Sequence, residues 1–176
     1  MIPLKKLAVR TIDGLTMLSG YLSSLAILAA TIIIVEQVVV RYVWNAATIW
    51  QLEIAVYLLI AATFLGAPYG LKNNAHINID MLIYKMPART RNKLDIATSF
   101  IALLFCIVLF WRGCVMWWEA WEGNWLSSSL LSTPLIYPYA IIPVGMLLTS
   151  LQYVLKISGM VKNLTADSET NEEIKS

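Results

Sequence analysis

Charge is scarce in this chain. Of its 176 residues only 14% are charged and 59% are hydrophobic, whereas a soluble domain carries about one quarter charged residues. That balance excludes a soluble globular protein and points to an integral membrane protein. The formal net charge of +2 is too small to mark a nucleic-acid partner. Histidine is reduced to His76, so the chain cannot build a bis-histidine haem site by itself. The two cysteines, Cys106 and Cys114, stand eight residues apart on one expected helix, about 12 Å along its axis. They cannot bridge there, and without a Cys-x-x-Cys pair a quinone-linked thiol oxidase is excluded. No metal-ligand cluster, nucleophile triad or glycine-rich phosphate loop is present. The expectation is a chain that is not an enzyme and holds no cofactor.

What the sequence has instead is long apolar runs. A spanning helix needs about 20 such residues, and four runs qualify, at about 15–41, 49–71, 94–118 and 134–156. The fold class is therefore all-α: four transmembrane helices in one domain, residues 1–160, followed by a polar tail, 161–176, expected to be disordered. The first run follows Lys5, Lys6 and Arg10 and is too long for a signal peptide, so it reads as an uncleaved span. Lysine and arginine number three before it, five between the second and third runs, and three from the end of the fourth onward (Lys156, Lys162, Lys175), with Arg41 and Arg112 alone on the other side. By the positive-inside asymmetry both termini and the middle loop are cytoplasmic. That loop, around His76, Asp80 and Pro87, alternates apolar and polar residues and reads as a short interfacial helix or strand-like stretch on the inner leaflet. All seven tryptophans then fall toward the outer face.

The stretch Arg41–Glu53 organises the chain. It joins the first two spans as a tight turn at the membrane surface, with Trp44 and Trp50 at the interface and Thr48 and Gln51 spaced as a capping box. Glu36, Arg41, Glu53 and Arg112 collect in the outer third. Charges in a bilayer are costly unless paired or wetted, and three uses are open: a structural ion-pair network with Glu53 bonded to Arg41 or Arg112, a surface for a partner protein, or an ion path. The last requires a titratable group near the midplane. His76 reads as an interfacial polar residue.

With those spans and turns in hand, the chain resembles the small membrane subunit, DctQ-like, of the tripartite ATP-independent periplasmic (TRAP) transporters. Three stretches carry the resemblance: Arg41-Tyr42-Val43 with Trp50-Gln51-Leu52-Glu53; Phe64-Leu65-Gly66-Ala67 running to Ala75-His76-Ile77; and Ser132-Thr133-Pro134, Tyr137-Pro138-Tyr139 and Ile142-Pro143-Val144-Gly145. It covers about residues 10–157. Tyr139 stands where family members often have tryptophan. The resemblance implies an inner-membrane subunit without chemistry of its own. It implies packing beside a large elevator-type permease subunit as part of its static scaffold, with a periplasmic binding protein and membrane lipids as further partners. It implies sodium-coupled uptake of an organic acid, of the sialic acid or C4-dicarboxylate class. Glu119, Trp121, Glu122 and Trp125, beyond the third span, are then candidates for docking the binding protein. Two alternatives belong to other classes: a self-contained homo-oligomeric transporter or channel using Glu36 or Glu53, and a membrane anchor for a redox enzyme.

Overall fold

The computed structural model describes residues 2–46, 50–73, 88–129 and 131–173. The expected interfacial element around His76, and the Thr48 half of the capping box, lie outside these residues. Among the described residues there are four helices and no strand: α1 (Ile2–Val43), α2 (Trp50–Lys72), α3 (Ala88–Glu122) and α4 (Ile136–Glu173). Each contains a segment long and apolar enough to cross a bilayer, Val9–Val43, Trp50–Lys72, Leu94–Glu122 and Ile136–Val161. In hydrocarbon every backbone N–H and C=O must be satisfied internally, which the helix does. Several hydroxyls on these spans follow the same rule by bonding back one turn, as in Thr31 to Ile27 O (2.8 Å) and Thr149 to Gly145 O (2.8 Å).

The boundaries differ from expectation in three places. α1 begins at Ile2 rather than near residue 15, since Pro3 is tolerated in a first turn and nothing after it breaks a helix. α4 begins at Ile136 rather than at Thr133-Pro134. Those residues turn instead toward α3, where Pro134 bridges Leu126 and Leu135 N–H reaches Trp125 O (3.0 Å). At its other end α4 stays helical to Glu173, past the expected end near Lys156 and through the tail expected to be disordered. Asp167, Glu169, Glu172 and Glu173 oppose membrane burial but do not break a helix.

The helices form a row rather than a closed bundle. α1 packs on α2, α2 on α4, and α4 on α3, with a light touch between α1 and α4. Lipid is as apolar as leucine, so helices here associate through close fit and hydrogen bonds, and each joint has a small residue. Gly20 faces the Tyr69 ring and Gly66 faces Ser23, whose hydroxyl donates to Ala62 O (2.7 Å). Gly113 rests against Ile142 and Pro143. The tightest joint is α2 to α4, where Gly145 packs directly on the Phe64 carbonyl. Buried Pro68 offers no N–H to that carbonyl, four residues earlier. The carbonyl oxygen left without that donor faces the one residue that leaves room for it. Leu71, Cys106, Met146 and Tyr153 form the core between α2, α3 and α4.

At the lower end a polar clamp ties three helices. Lys72 pairs with Asp13 (3.3 Å), and buried Gln152 donates to Thr16 Oγ1 (2.7 Å) and Asp13 Oδ1 (3.4 Å).

A Cβ at position 145 collides with backbone, which cannot swing away, whereas one at Gly159 meets nothing within 4 Å. Gly145→Ala is therefore expected to lower stability by about 1–3 kcal/mol, and Gly159→Ala to leave it unchanged or raise it by up to about 1 kcal/mol. Thermal unfolding of the purified subunit in detergent checks this; equal melting temperatures for the two variants contradict the joint.

Candidate functional site

The end of the row that carries the α3–α4 loop, the expected outer end, is built around Glu53. It lies in the first turn of α2, where a negative charge suits the helix dipole. Its carboxylate accepts a hydrogen bond from the Tyr57 hydroxyl, one turn on (2.6 Å), and another from the Ser129 hydroxyl in the α3–α4 loop. The loop has its own order. Asn124, with φ of 45°, turns the chain out of α3, a conformation asparagine tolerates. Ser127 N–H then bonds Thr133 O (2.9 Å). The Ser127 and Ser129 side chains accept from Ser129 N–H and Leu131 N–H, each at 3.3 Å. Glu53 thus fastens the α3–α4 loop to the start of α2.

This corrects the expected ion-pair network. Glu53 bonds neither Arg41 nor Arg112. The row explains why: Arg41 is on α1 and Arg112 on α3, at opposite flanks, and both are exposed, as is Glu36. Arg41 lies in a shallow groove with Gln37, Val38, Tyr42 and Asn45 at the end of α1. Arg112 is also deeper than expected, ten residues before Glu122 on one helix, or about 15 Å, and Trp111 beside it is 68% exposed at that depth. His76 lies outside the described residues. Among those residues the ion pair present is Asp13–Lys72, which the sequence reading missed. Asp13 sits between the basic start and the first run, and Lys72 counts as a loop charge. Only the antiparallel pairing of α1 with α2 brings them together.

The docking candidates meet in part. Trp121, Glu122 and Trp125, with Ala120, Asn124, Leu126, Pro134 and Ile136, line an open groove of about 530 Å³. Trp121 and Trp125 are 59% and 42% exposed, and the Trp117 ring stacks at a tilt on Trp121 (centroids 6.1 Å apart). Glu119 is exposed but does not line the groove. Among the described residues no group of histidine, cysteine, aspartate or glutamate is placed to hold a metal ion.

A family profile matches residues 30–163, described as "Tripartite ATP-independent periplasmic transporters, DctQ component". The chain belongs to the DctQ family. The matched region holds Arg41, Glu53, Arg112, the outer loop and the Phe64–Gly145 joint, and leaves Asp13 outside. Similar relatives include a C4-dicarboxylate TRAP transporter small permease protein, DctQ, of Vibrio cholerae, 26% identical across 83% of this chain and 74% of that one. An ectoine TRAP transporter small permease protein, TeaB, of Halomonas elongata is 25% identical across 89% and 79%. An isethionate TRAP transporter permease protein, DctMQ, of Oleidesulfovibrio alaskensis is 25% identical across 77% of this chain but only 22% of its own length. As a DctQ-family protein with four membrane-crossing helices, this chain is a multi-pass protein of the bacterial inner membrane. It is a membrane subunit of a TRAP transporter, and its family is one of permease components rather than enzymes.

In this DctQ-family chain Glu53 is the fastening of the outer loop, so Glu53→Ala is expected to speed hydrogen exchange at Ser127 and Leu135 several-fold. Glu36→Ala, at an exposed position, leaves it unchanged. Exchange followed by mass spectrometry checks this; unaltered protection in Glu53→Ala shows that the loop holds itself.

Proposed function

We propose that this chain is the static small subunit of a TRAP transporter. It packs beside the large permease subunit and presents an outer surface to a periplasmic binding protein during sodium-coupled uptake of an organic acid. The observation that carries the reading is the outer loop fastened by Glu53, which anchors an acidic, aromatic groove at one end of a helix row. The DctMQ relative, of which this chain matches about a fifth, supports a large-subunit partner. The relatives named for C4-dicarboxylate, isethionate and ectoine are about equally similar to this chain. That supports substrate choice residing in the binding protein and large subunit. Within the family's range, the sialic acid or C4-dicarboxylate class is the proposed substrate.

The self-contained ion carrier gains no support. Glu36 and Glu53, the carboxylates it would use, lie toward the outer ends of α1 and α2, and Glu53 is engaged by Tyr57 and Ser129. Membrane lipids are further proposed partners, against the exposed apolar side of α1. The termini and residues 74–87 are proposed to face the cytoplasm, from the lysine and arginine asymmetry. A cysteine replacing exposed Ser128 is then expected to label strongly in intact cells, and one replacing Ser158 weakly, with the reverse pattern contradicting the orientation.

Proteoliposomes test the function itself. This chain alone is expected to take up nothing under a sodium gradient, and uptake is expected to appear only with the large subunit and binding protein together. The paired change Glu119→Lys and Glu122→Lys is expected to raise the binding-protein concentration for half-maximal uptake several-fold, because acids at an interface rim steer approach. Uptake by the chain alone contradicts the scaffold role. An unchanged concentration dependence with an intact complex removes these acids from the docking surface.

A further inference from the structure

We infer that the outward stripe of α3 centred on Arg112 is the surface that meets a transmembrane helix of another chain, and that this helix carries a carboxylate opposite the Arg112 guanidinium. The inference rests on the small-subunit reading above and assigns the helix and the residue through which the partner is held.

The depth of Arg112 follows from the joints. Gly113 packs on Ile142 and Pro143, and Gly145 packs on Phe64, so Arg112 lies level with the middle of α2. Phe64 stands eleven residues after Glu53 and eight before Lys72, about 16 and 12 Å along the helix. A hydrocarbon core is about 30 Å thick. Arg112 is therefore near its middle. Its neighbour Gly113 turns toward α4, while Arg112 itself is exposed, and among the described residues it has no ion-pair partner.

The stripe around it has the spacing of a helix seam. Phe105, Val108, Arg112 and Val115 are all exposed and follow one another at intervals of three, four and three residues, the repeat by which one helix packs along another. Lipid tails accept an apolar face of any spacing. They do not accept a guanidinium, whose cost at the bilayer centre is removed by a paired group of opposite charge. The planar fork of arginine takes a carboxylate through two parallel hydrogen bonds.

Two other occupants fit less well. Lipid phosphates lie near the level of Glu53 and Glu122, about 15 Å above Arg112, beyond the reach of one arginine side chain. A second copy of this chain, inserted in the same orientation, presents Ser24 on α1, Thr63 on α2 and Val144 on α4 at that depth. None of the acids on the four helices, Asp13, Glu36, Glu53, Asp95, Glu119, Glu122, Asp167, Glu169, Glu172 or Glu173, is level with Arg112. The carboxylate is therefore assigned to a different polypeptide.

Co-purification of this subunit with the large membrane subunit tests the assignment, with the membrane yield of each variant measured alongside. Arg112→Leu, which eases insertion into a bilayer, is expected to be made and inserted normally yet to retain tenfold less large subunit. Arg112→Lys is expected to retain an intermediate amount. In the Arg112→Glu background, changing each carboxylate within the spans of the large subunit to arginine in turn is expected to restore association at one position. With Cys106 and Cys114 replaced by serine, Val108→Cys is expected to cross-link to the large subunit. Wild-type retention by Arg112→Leu overturns the inference. So does a Val108→Cys cross-link to a second copy, or loss of a bound phospholipid from Arg112→Leu, seen by native mass spectrometry, with association intact. If the wild-type chain itself fails to co-purify, the small-subunit reading fails first.

Discussion

The structure depends on how closely backbones approach in a solvent that gives helices no hydrophobic reason to associate. At the centre, the Phe64 carbonyl released by Pro68 meets Gly145 of α4. A larger residue there separates α2 from α4, and with them the two halves of the row. The flanking joints repeat the solution with Gly20 and Gly66 against α1, and Gly113 against α4. Because every joint needs a small residue at one level, the register of all four helices is set together.

That register places the polar groups. At one end it brings Asp13, Lys72 and Gln152 into one clamp. At the other it lets Glu53 reach Tyr57 and Ser129. The fastenings stand at opposite ends of α2, so the helix is held top and bottom as well as at its middle. Between them the described acids are missing and one base, Arg112, faces outward. A helix row held this way suits a subunit that stays still while another moves. It leaves two flanks, α1 and α3, of which only α3 has a charge at mid-depth.

Much of this was legible in the sequence, because apolar run length is a direct consequence of bilayer thickness. The four spans, and the motif stretches around Phe64 and Gly145, could be read without coordinates. Helix ends were less legible. Polar residues after Asn163 forbid membrane burial without forbidding helix, and Thr133-Pro134 looked like a helix start but is used by the outer loop. The charges were read least well. Arg41 and Glu53 flank one turn, and nearness in sequence suggested a pair, yet Glu53 is held by Ser129 from the far side of the chain. Asp13 and Gln152 meet across the whole fold. Such partnerships follow from which helices are neighbours, and hydropathy does not report that order.

The central claim is that this row of helices is rigid through the transport cycle. Spin labels at exposed Val39, on α1, and exposed Ser128, in the outer loop, span its two flanks. With Cys106 and Cys114 replaced by serine, their separation can be measured by pulsed dipolar spectroscopy in the assembled transporter. The account predicts one distance distribution, unchanged by sodium, substrate or binding protein. A shift on the order of one helical turn, about 5.4 Å, on adding any of them would contradict it.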